Sequence, residues 1–369
     1  MSHIGYSNKW TEGWLSNLSS AYSPATGLFD RQYRNGKWDE VTGREIVTST
    51  AIALIALHRS SLTSRVPQFD PSTSAGLLAA RFEAIAYMGS IGLLIWALAL
   101  AGRSDLVAQL LPRLENGRVS QSLTTMELAW VVLGLCHVDD KSAGAGSKLL
   151  KVFSEELVAR QSKSTGLFYH CSMDAAWRDR IRRNVSNFAD QIYPIQALSL
   201  ASSGIGLSSL AQSALLCGKV LCALQGEKGQ WWWHYDPKSG RVTSRYPVYS
   251  VHQYGMAPMA LASLQESTGV SFSHPIDRSL SWIEDNEFQG SMFDSGNGTI
   301  WRDIHPKNRM TASFIRRTRA ILRRSDTSFP EIQVNRETRP YEWAWGLYAE
   351  AALSGMARYQ AAGYLSGGD

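Results

Sequence analysis

The residues best suited to chemistry are concentrated in the stretch 231–258. It holds three consecutive tryptophans, two histidines, two arginines and a glutamine. The candidates in it are Trp231, Trp232, Trp233, His234, Arg245, Tyr246, Tyr249, His252 and Gln253. Sugar rings stack on Trp and Tyr, whereas Gln, His and Arg bind hydroxyl and carboxylate groups. A histidine beside a tyrosine can also remove the proton next to a uronyl carboxyl group. The stretch predicts a sugar site with His252 and Tyr249 as proton-transfer residues; internal packing of the same side chains is an equally good interpretation.

A second candidate is Asp190, which lies shortly before Pro194. Proline is tolerated in the first turn of a helix, so Pro194 predicts a helix over Ile195–Ser203. The carboxylate of Asp190 would then lie outside the helix, where it could exchange a proton or pair with Arg182 or Arg183. A role as a helix cap fits the same position equally well.

Other candidates occupy corresponding places elsewhere in the chain, namely Asp30, His170, Arg302, Tyr341 and Glu342. Arg302 or Arg339 could hold a carboxylate through two parallel hydrogen bonds. Tyr341 could stack on a sugar ring. Glu342 falls in the first turn of a helix opened by Pro340, where it is either an acid or, as we favour, a partner of the helix dipole.

These candidates follow a sequence motif that recurs along the chain. It consists of a glycine, an aromatic or apolar residue two positions later and a polar residue, and a long helix follows it. Copies begin at Gly27, Gly166, Gly229 and Gly290, with a weaker one at Gly117. From Gly117 onward the intervals are 49, 63 and 61 residues, which fits a helical hairpin with its loops. Each glycine is expected to adopt a left-handed conformation, with the aromatic residue packed between neighbouring hairpins.

Two copies are preceded by a glutamine, Gln161 before Gly166 and Gln225 before Gly229. Such a side chain can hydrogen-bond the exposed backbone at a helix end and tie adjacent hairpins together. The two stretches resemble the Gln–Trp repeats of the terpene cyclase and protein prenyltransferase superfamily. This resemblance implies an all-α fold, an α/α toroid of about five to six helical hairpins with a few short strands in loops, as one domain over 1–369.

The segment Phe188-Ala189-Asp190, followed by an apolar helix, resembles the unsaturated glucuronyl hydrolases and their six-hairpin glycosidase relatives. In that family an aromatic residue, one further residue and a catalytic Asp precede an inner helix. The resemblance therefore implies an acid/base role for Asp190. The second catalytic Asp of the family has no clear match in this sequence.

Composition limits the classes of partner. The 369 residues carry 37 basic and 32 acidic side chains, a net charge of +5, which suits an anionic ligand but is small for nucleic acid. The four cysteines form no CxxC pair or metal-ligand spacing, so we expect free thiols, no metal and no cofactor. The N-terminus lacks the pattern of a signal peptide, which predicts a cytoplasmic location.

Two segments bear on contact with a membrane. The run Ala84–Gly102 is uncharged and apolar, but Gly89, Ser90 and Gly92 interrupt it, so a buried inner helix is favoured over a membrane span. Arg316, Arg319 and Arg323 form a basic stripe at helical spacing. Most such stripes are solvated, although this one could touch anionic lipid.

Together these features predict a carbohydrate-active enzyme for an acidic or complex glycan, which cleaves a glycosidic bond or removes a proton at a uronyl residue by acid/base catalysis. The expected catalytic residues are Asp190, His252, Tyr249 and Glu342. The main alternative is an isoprenoid cyclase of the Gln–Trp repeat type, which would need a deep, closed, aromatic cavity. A non-catalytic toroid that binds a glycan or a partner is the third possibility.

Overall fold

In the described part of the chain, twelve helices of nine residues or more alternate between an outer and an inner layer. Two four-residue helices, Val119–Ser122 and Trp177–Arg180, lie in the connecting segments. The computed structural model describes residues 6–116, 119–139, 144–307 and 331–361. The helices are α1 Asn8–Ala21, α2 Arg44–Arg59, α3 Pro71–Ile85, α4 Ile91–Leu100, α5 Ser104–Leu114, α6 Thr125–Leu135, α7 Ala145–Ala159, α8 Ala189–Ile205, α9 Ser208–Ala223, α10 Ala257–Thr268, α11 Ser273–Ser281 and α12 Pro340–Ala361. Even-numbered helices are inner and odd-numbered helices are outer.

The inner helices form a closed circle. Each packs against the next, from α2 through α4, α6, α8 and α10 to α12, and α12 packs back on α2. Each outer helix packs on the inner helix that precedes it, and α1 packs on α12, so the two ends of the chain complete the sixth pair. The α/α toroid predicted from the sequence is confirmed, with six helical pairs.

Burial patterns explain which helices are inner. In α4 every side chain from Ile91 to Leu98 is buried, as expected for a helix enclosed on all sides. In the outer helix α5 the buried residues are Val107, Leu110, Leu111 and Leu114, a single stripe at helical spacing. A helix that is apolar on all sides thus packs in the inner circle. A helix with a single apolar stripe packs in the outer layer.

The apolar run Ala84–Gly102 is not one helix. Helix α3 ends at Ile85, Ala86 adopts a left-handed conformation, and a single 3₁₀ turn, Met88–Ser90, precedes α4. Over the described ranges we find no helix with the length and apolarity needed to cross a membrane. The basic stripe at Arg316, Arg319 and Arg323 lies outside the described residues.

Helices α4 and α6 pack with their backbones in direct contact. A Cβ atom on Gly92 would lie 2.3 Å from the backbone of Trp130 and Val131, and one on Gly134 would lie 2.5 Å from the carbonyl oxygen of Gly92. The two backbones therefore touch directly, which only glycine permits at these positions.

The recurring glycine turns have the expected geometry at three of the four described copies. Gly27, Gly166 and Gly229 are left-handed, with φ of 67°, 76° and 89°. The residue two positions later is fully buried in each copy: Phe29, Phe168 and Trp231. At the fourth copy the left-handed residue is Gln289 rather than Gly290, so that detail was wrong. Gly117 lies outside the described residues.

The two glutamines bond as predicted. Gln161 Nε2 donates to the carbonyl oxygens of Gly166 and Ser213, both at 2.8 Å, and Ser213 belongs to α9. Gln225 Nε2 donates to the carbonyl oxygens of Gly229 at 2.8 Å and Pro275 at 3.0 Å, and Pro275 belongs to α11. Each glutamine thus ties its own loop to the next outer helix.

Short antiparallel strands in the loops complete the described fold. They pair as Tyr22–Ser23 with Leu28–Phe29; Arg31–Arg34 with Lys37–Glu40 and Glu337–Thr338; Ser186–Asn187 with His234–Asp236, which also pairs with Arg241–Ser244; Asp303–Pro306 with Val248–Tyr249 and Ile332–Asn335; and Phe293–Asp294 with Thr299–Ile300. The pairing of Asp303 with Tyr249 sets Arg302 beside Tyr249.

Candidate active site at the mouth of the ring

A cavity of about 400 Å³ opens where the inner helices begin. Every inner helix contributes to its wall through its first turns or the segment before it. The lining includes Arg44, Glu45, Tyr87, Glu127, Trp130, Asn187, Tyr193, Trp233, Tyr249, His252, Arg302, Arg339 and Tyr341. We call this space the mouth cavity. Segments far apart in sequence therefore converge on one basin at the axis of the ring.

Aromatic rings close the axis below the mouth cavity. Trp130 contacts Tyr193 with ring centroids 5.5 Å apart, and Tyr193 lies 6.1 Å from Trp345. Trp345 continues to Trp96 at 6.0 Å, and Trp96 to Tyr348 at 5.8 Å. The mouth cavity is consequently a pit with an aromatic floor and not a channel through the ring.

His252 is the most unusual side chain in the wall. Its ring contacts those of Phe188, with centroids 4.5 Å apart, and Tyr249, at 5.1 Å. The residue begins a short π-helical turn, His252–Met256, that precedes α10. Its Nδ1 is buried without a hydrogen-bond partner in the described part of the chain. Burial, with a smaller contribution from Arg302, lowers the pKa of His252 to about 3. The imidazole is therefore neutral at physiological pH.

Arg302 lies beside His252 and is fixed by Glu342. Its Nη1 donates to Glu342 Oε1 at 2.7 Å, and its guanidinium lies over the rings of Tyr249 at 5.4 Å and Tyr341 at 5.7 Å. Glu342 also accepts hydrogen bonds from the Arg339 backbone N–H at 3.0 Å and from the Tyr341 hydroxyl at 3.2 Å. Burial raises the pKa of Glu342, and the two arginines oppose this effect. The carboxylate of Glu342 therefore lies behind the cavity wall with both oxygens engaged.

Asp190 lies inside a helix and not before one, because α8 begins at Ala189. The predicted start at Pro194 was wrong; the proline falls in the second turn. Asp190 is fully buried, and its oxygens accept hydrogen bonds from the backbone N–H groups of Met126 at 3.1 Å and Asn187 at 3.0 Å, and from His170 Nδ1 at 2.7 Å. Neither Asp190 nor His170 lines the mouth cavity.

The same capping geometry occurs at three inner helices. In α6, α8 and α12 a first-turn acid accepts the backbone N–H of the residue three positions earlier: Glu127 from Thr124, Asp190 from Asn187 and Glu342 from Arg339. Glu127, which the sequence analysis missed, also accepts a hydrogen bond from the Tyr87 hydroxyl in the cavity wall. The motif Thr124-x-x-Glu127 is a capping-box signature and could have revealed it.

Two charged residues at the rim were also missed. Arg44 and Glu45 open α2 and are exposed. The guanidinium of Arg44 lies 4.7 Å from the Tyr87 ring centroid, and among the described residues it forms no salt bridge. Glu45 pairs with Arg339 at 2.7 Å. No sequence motif marks either residue; only the closing of the ring brings α2 beside α12.

The other predicted binding residues lie outside the mouth cavity: Trp231, Trp232, His234, Arg245, Tyr246, Gln253 and Asp30. Trp231 is fully buried and its Nε1 donates to Ser279 at 2.7 Å. Gln253 accepts from the Trp231 backbone at 3.2 Å and donates to the Tyr249 carbonyl oxygen at 3.0 Å. Asp30 accepts from Thr26 at 2.6 Å on the surface. Of the predicted set, the cavity brings together Trp233, Tyr249, His252, Arg302 and Tyr341.

Comparison with known proteins finds likeness in structure and none in sequence. No family model and no curated protein matches the chain. An unsaturated glucuronyl hydrolase specific for heparin has a TM-score of 0.62 at 11% identity, with 95% of this chain and 97% of that chain covered. The unsaturated glucuronyl hydrolase of Bacillus sp. GL1 has a TM-score of 0.59 at 11% identity, with 94% and 95% covered. The GH76A α-1,6-mannanase of Salegentibacter sp. HEL1_6, in an inactive variant, has a TM-score of 0.57 at 9% identity, with 94% and 98% covered. At this identity the likeness is one of fold.

Proposed function

We propose that this protein is an enzyme that acts on an acidic glycan in the mouth cavity, with His252 and Tyr249 as the proton-transfer pair. One observation carries the proposal: aromatic rings, arginines and a neutral histidine share a single cavity that opens to solvent. The volume of about 400 Å³ lies within the range of small-molecule sites, roughly 300–1,000 Å³. The structural neighbours named for glycan-degrading activity have the same fold, which is consistent with this proposal.

Recognition of an acidic sugar would come from the rim and wall. Arg44 is exposed and, within the described ranges, pairs with no acid, so a substrate carboxylate could serve as its counter-ion. Trp233 and Tyr341 are half-buried in the wall and offer ring faces for the apolar side of a sugar. Arg302 is already fixed by Glu342 and would stabilise charge that develops nearby without reorganising.

The proposed chemistry is proton abstraction next to the uronyl carboxyl group. A ring nitrogen of His252 takes the proton, and the electron pair passes into the carboxyl group as an enolate stabilised by Arg302. The intermediate then has two outcomes. In one, the electron pair forms a carbon–carbon double bond and the bond to the glycosidic oxygen breaks as Tyr249 protonates that oxygen. In the other, Tyr249 donates a proton to the opposite face of the uronyl carbon. The first outcome is elimination and the second is epimerisation.

The low pKa of His252 constrains this chemistry. The ring by itself is a weak base, because burial and Arg302 both disfavour the imidazolium. A substrate carboxylate bound near Arg302 would offset that positive charge and raise the pKa of His252. The base would therefore become effective only with an acidic substrate in place, which would exclude neutral sugars from the reaction.

The polar lining weighs against an isoprenoid cyclase. Arg44, Glu45 and Arg339 line the cavity, and the first two are exposed at its rim. A carbocation would be destabilised by the arginines and captured by water entering from the open side. The aromatic floor alone does not provide the closed pocket that cyclisation requires.

The test is product analysis with defined acidic oligosaccharides. Purified protein is incubated with saturated and 4,5-unsaturated uronyl oligosaccharides in deuterated water, and the products are followed by mass spectrometry and ultraviolet absorbance. New unsaturated ends indicate elimination, deuterium at the uronyl carbon without cleavage indicates epimerisation, and both support the proposal. Cleavage with uptake of water supports action on a glycan but overturns the proton-abstraction step. Turnover of neutral but not acidic oligosaccharides, or no turnover at all, overturns the proposal.

A further inference from the structure

A second cavity of about 320 Å³ adjoins the mouth cavity. The two share Tyr87 and Glu127, whose hydrogen bond forms part of the wall of each. The remaining lining comes from the turn before α4, the segment before α6 and the loop after Tyr169, and it includes His170, Cys171 and Asp179. A ligand that leaves the mouth cavity past Tyr87 would enter this space, which we call the side cavity.

His170 lines the side cavity and has one ring nitrogen fixed by a hydrogen bond. Its Nδ1 lies 2.7 Å from Asp190 Oδ2, and Asp190 is itself fixed by the backbone N–H groups of Met126 and Asn187. The ring is therefore held in one orientation. Its Nε2 has no hydrogen-bond partner in the described part of the chain, so one nitrogen is committed to Asp190 and the other is available to a ligand.

The charges around His170 favour the imidazolium. The negative charge of Asp190 raises the pKa of His170 against the opposing effect of burial; Glu127 acts in the same direction as Asp190, and Arg182 acts against it. Cys171 and Asp179 also line the side cavity, and burial raises the pKa of the Cys171 thiol, which keeps it neutral.

We propose that the side cavity binds the oxyanion of an acidic sugar, a carboxylate or a sulfate, through a hydrogen bond from His170 Nε2. Asp190 is then a positioning residue, since it orients His170 and does not touch the ligand. The proposal depends on the proposed function only for the identity of the ligand as a sugar. It assigns to His170 and Asp190 a role that the mouth cavity does not require.

The loop that covers the side cavity supports this proposal. Ala175 and Asp179 of this loop line the cavity, while Trp177 is 62% exposed beside them. The same loop carries four arginines, Arg178, Arg180, Arg182 and Arg183, against the acids Asp174 and Asp179. An exposed tryptophan among arginines suits an anionic glycan that continues outward from the side cavity.

The test is a titration of His170 by NMR in the full-length protein, which needs no turnover. The pKa of His170 is measured alone, with sodium sulfate, with sodium glucuronate, and with sodium chloride at matched ionic strength. We expect a saturable rise in the pKa with sulfate, glucuronate or both, and none with chloride. Saturation by sulfate alone identifies a sulfated sugar and saturation by glucuronate alone a uronyl sugar. A pKa that neither salt moves beyond the chloride control overturns the proposal.

Variants separate binding from folding. His170→Gln should weaken binding of the effective anion at least about tenfold, because it removes a charged donor. Asp190→Asn should lower the pKa of His170 and weaken binding, whereas His274→Gln, an exposed histidine on the outer helix α11, is the matched control and should change neither. If His170→Gln folds and binds the anion as the unaltered protein does, the side-cavity assignment is wrong. That result would leave the proposed function untouched, because turnover at His252 is measured separately.

Discussion

The two ends of the ring differ in which backbone groups the helix termini leave without a partner inside the helix. At the mouth the inner helices begin, and the cavity there is about 400 Å³. At the far end, where α2, α4, α10 and α12 run toward their C-termini, a cavity of about 190 Å³ is lined by His58, Arg59, His137 and Glu266. Helix starts present N–H groups that need acceptors, and helix ends present carbonyl groups that need donors. Capping acids therefore lie at the helix starts, beside the arginines of the mouth cavity, whereas the far-end cavity has two histidines and an arginine beside Glu266.

At the mouth, capping engages Asp190 and Glu342, the two carboxylates that the sequence suggested as catalytic, and also Glu127, which it did not. Glu127, Asp190 and Glu342 each cap an inner helix and each accept further hydrogen bonds. At the far end His137 is used in the same way, because its Nδ1 donates to the Leu133 carbonyl oxygen at 2.8 Å. The mouth differs in having His252, a polar residue that caps no helix. Its Nδ1 has no hydrogen-bond partner within the described ranges.

The largest expected difference between the ends is in turnover. His252→Gln or Tyr249→Phe should lower kcat/KM on the acidic substrate roughly 100- to 10,000-fold, the usual contribution of general acid/base catalysis. His58→Gln, an exposed far-end histidine, should change kcat/KM by less than about twofold. Steady-state kinetics with unfolding curves for each variant checks this comparison. Equal losses at both ends would show that the mouth has no special role.

The next largest difference concerns buried charge. Arg302→Leu leaves Glu342 buried without its main counter-ion and should lower the free energy of unfolding by about 3–5 kcal/mol. Arg59→Leu, at an exposed position of the far end, should change it by no more than about 0.5 kcal/mol. Denaturant unfolding monitored by tryptophan fluorescence measures both. An Arg302→Leu protein as stable as the unaltered one would contradict the view that the buried Glu342 depends on Arg302 as its counter-ion.

The pH dependence of stability offers a smaller contrast. The folded-state pKa of His252 is about 3, below that of an unfolded histidine, so the unfolded chain binds the proton first and stability falls as the pH falls. Between about pH 7.5 and pH 5 this single group should cost about 2 kcal/mol. The contribution of His170 to stability has the opposite pH dependence, because Asp190 raises the pKa of His170 in the folded state. This stabilisation is present at low pH and is lost as the pH rises through the folded-state pKa. Unfolding of His252→Gln should be less sensitive to acid than that of the unaltered protein, and an unchanged slope would argue against a buried neutral ring.

The smallest effect concerns a cap at the mouth. Thr124→Ala removes the side-chain half of the capping box of α6 and should cost about 1 kcal/mol of unfolding free energy. Ser122→Ala, two residues away, is the control and should be nearly neutral, because the exposed hydroxyl of Ser122 bonds to the Val119 carbonyl oxygen and not to the capping box. Thermal unfolding of both variants makes the comparison, and equal melting temperatures would contradict the assignment of Thr124 as a stabilising cap.

Local patterns predicted the framework of this protein well. Gly166 and Gly229 are left-handed, and Gln161 and Gln225 bond to the next outer helix, because these features depend on residues close in sequence and on the demands of a helix end. The placement of Asp190 could not be predicted in the same way. Pro194 suggested that a helix begins there. In the folded protein the helix begins at Ala189, and tertiary packing buries the carboxylate of Asp190.

The sequence by itself determined that the chain forms paired helices around an apolar inner circle, because apolar periodicity, glycine turns and glutamine ties are local properties. Only the tertiary structure decided which polar residues face the mouth. Arg44, Tyr249, His252 and Arg302 meet there because closing the circle brings α2 beside α12 and a strand pair sets Arg302 beside Tyr249. Contacts between distant segments decide which polar groups cap a helix and which remain available to a ligand. The spacing of residues along the chain does not predict those contacts.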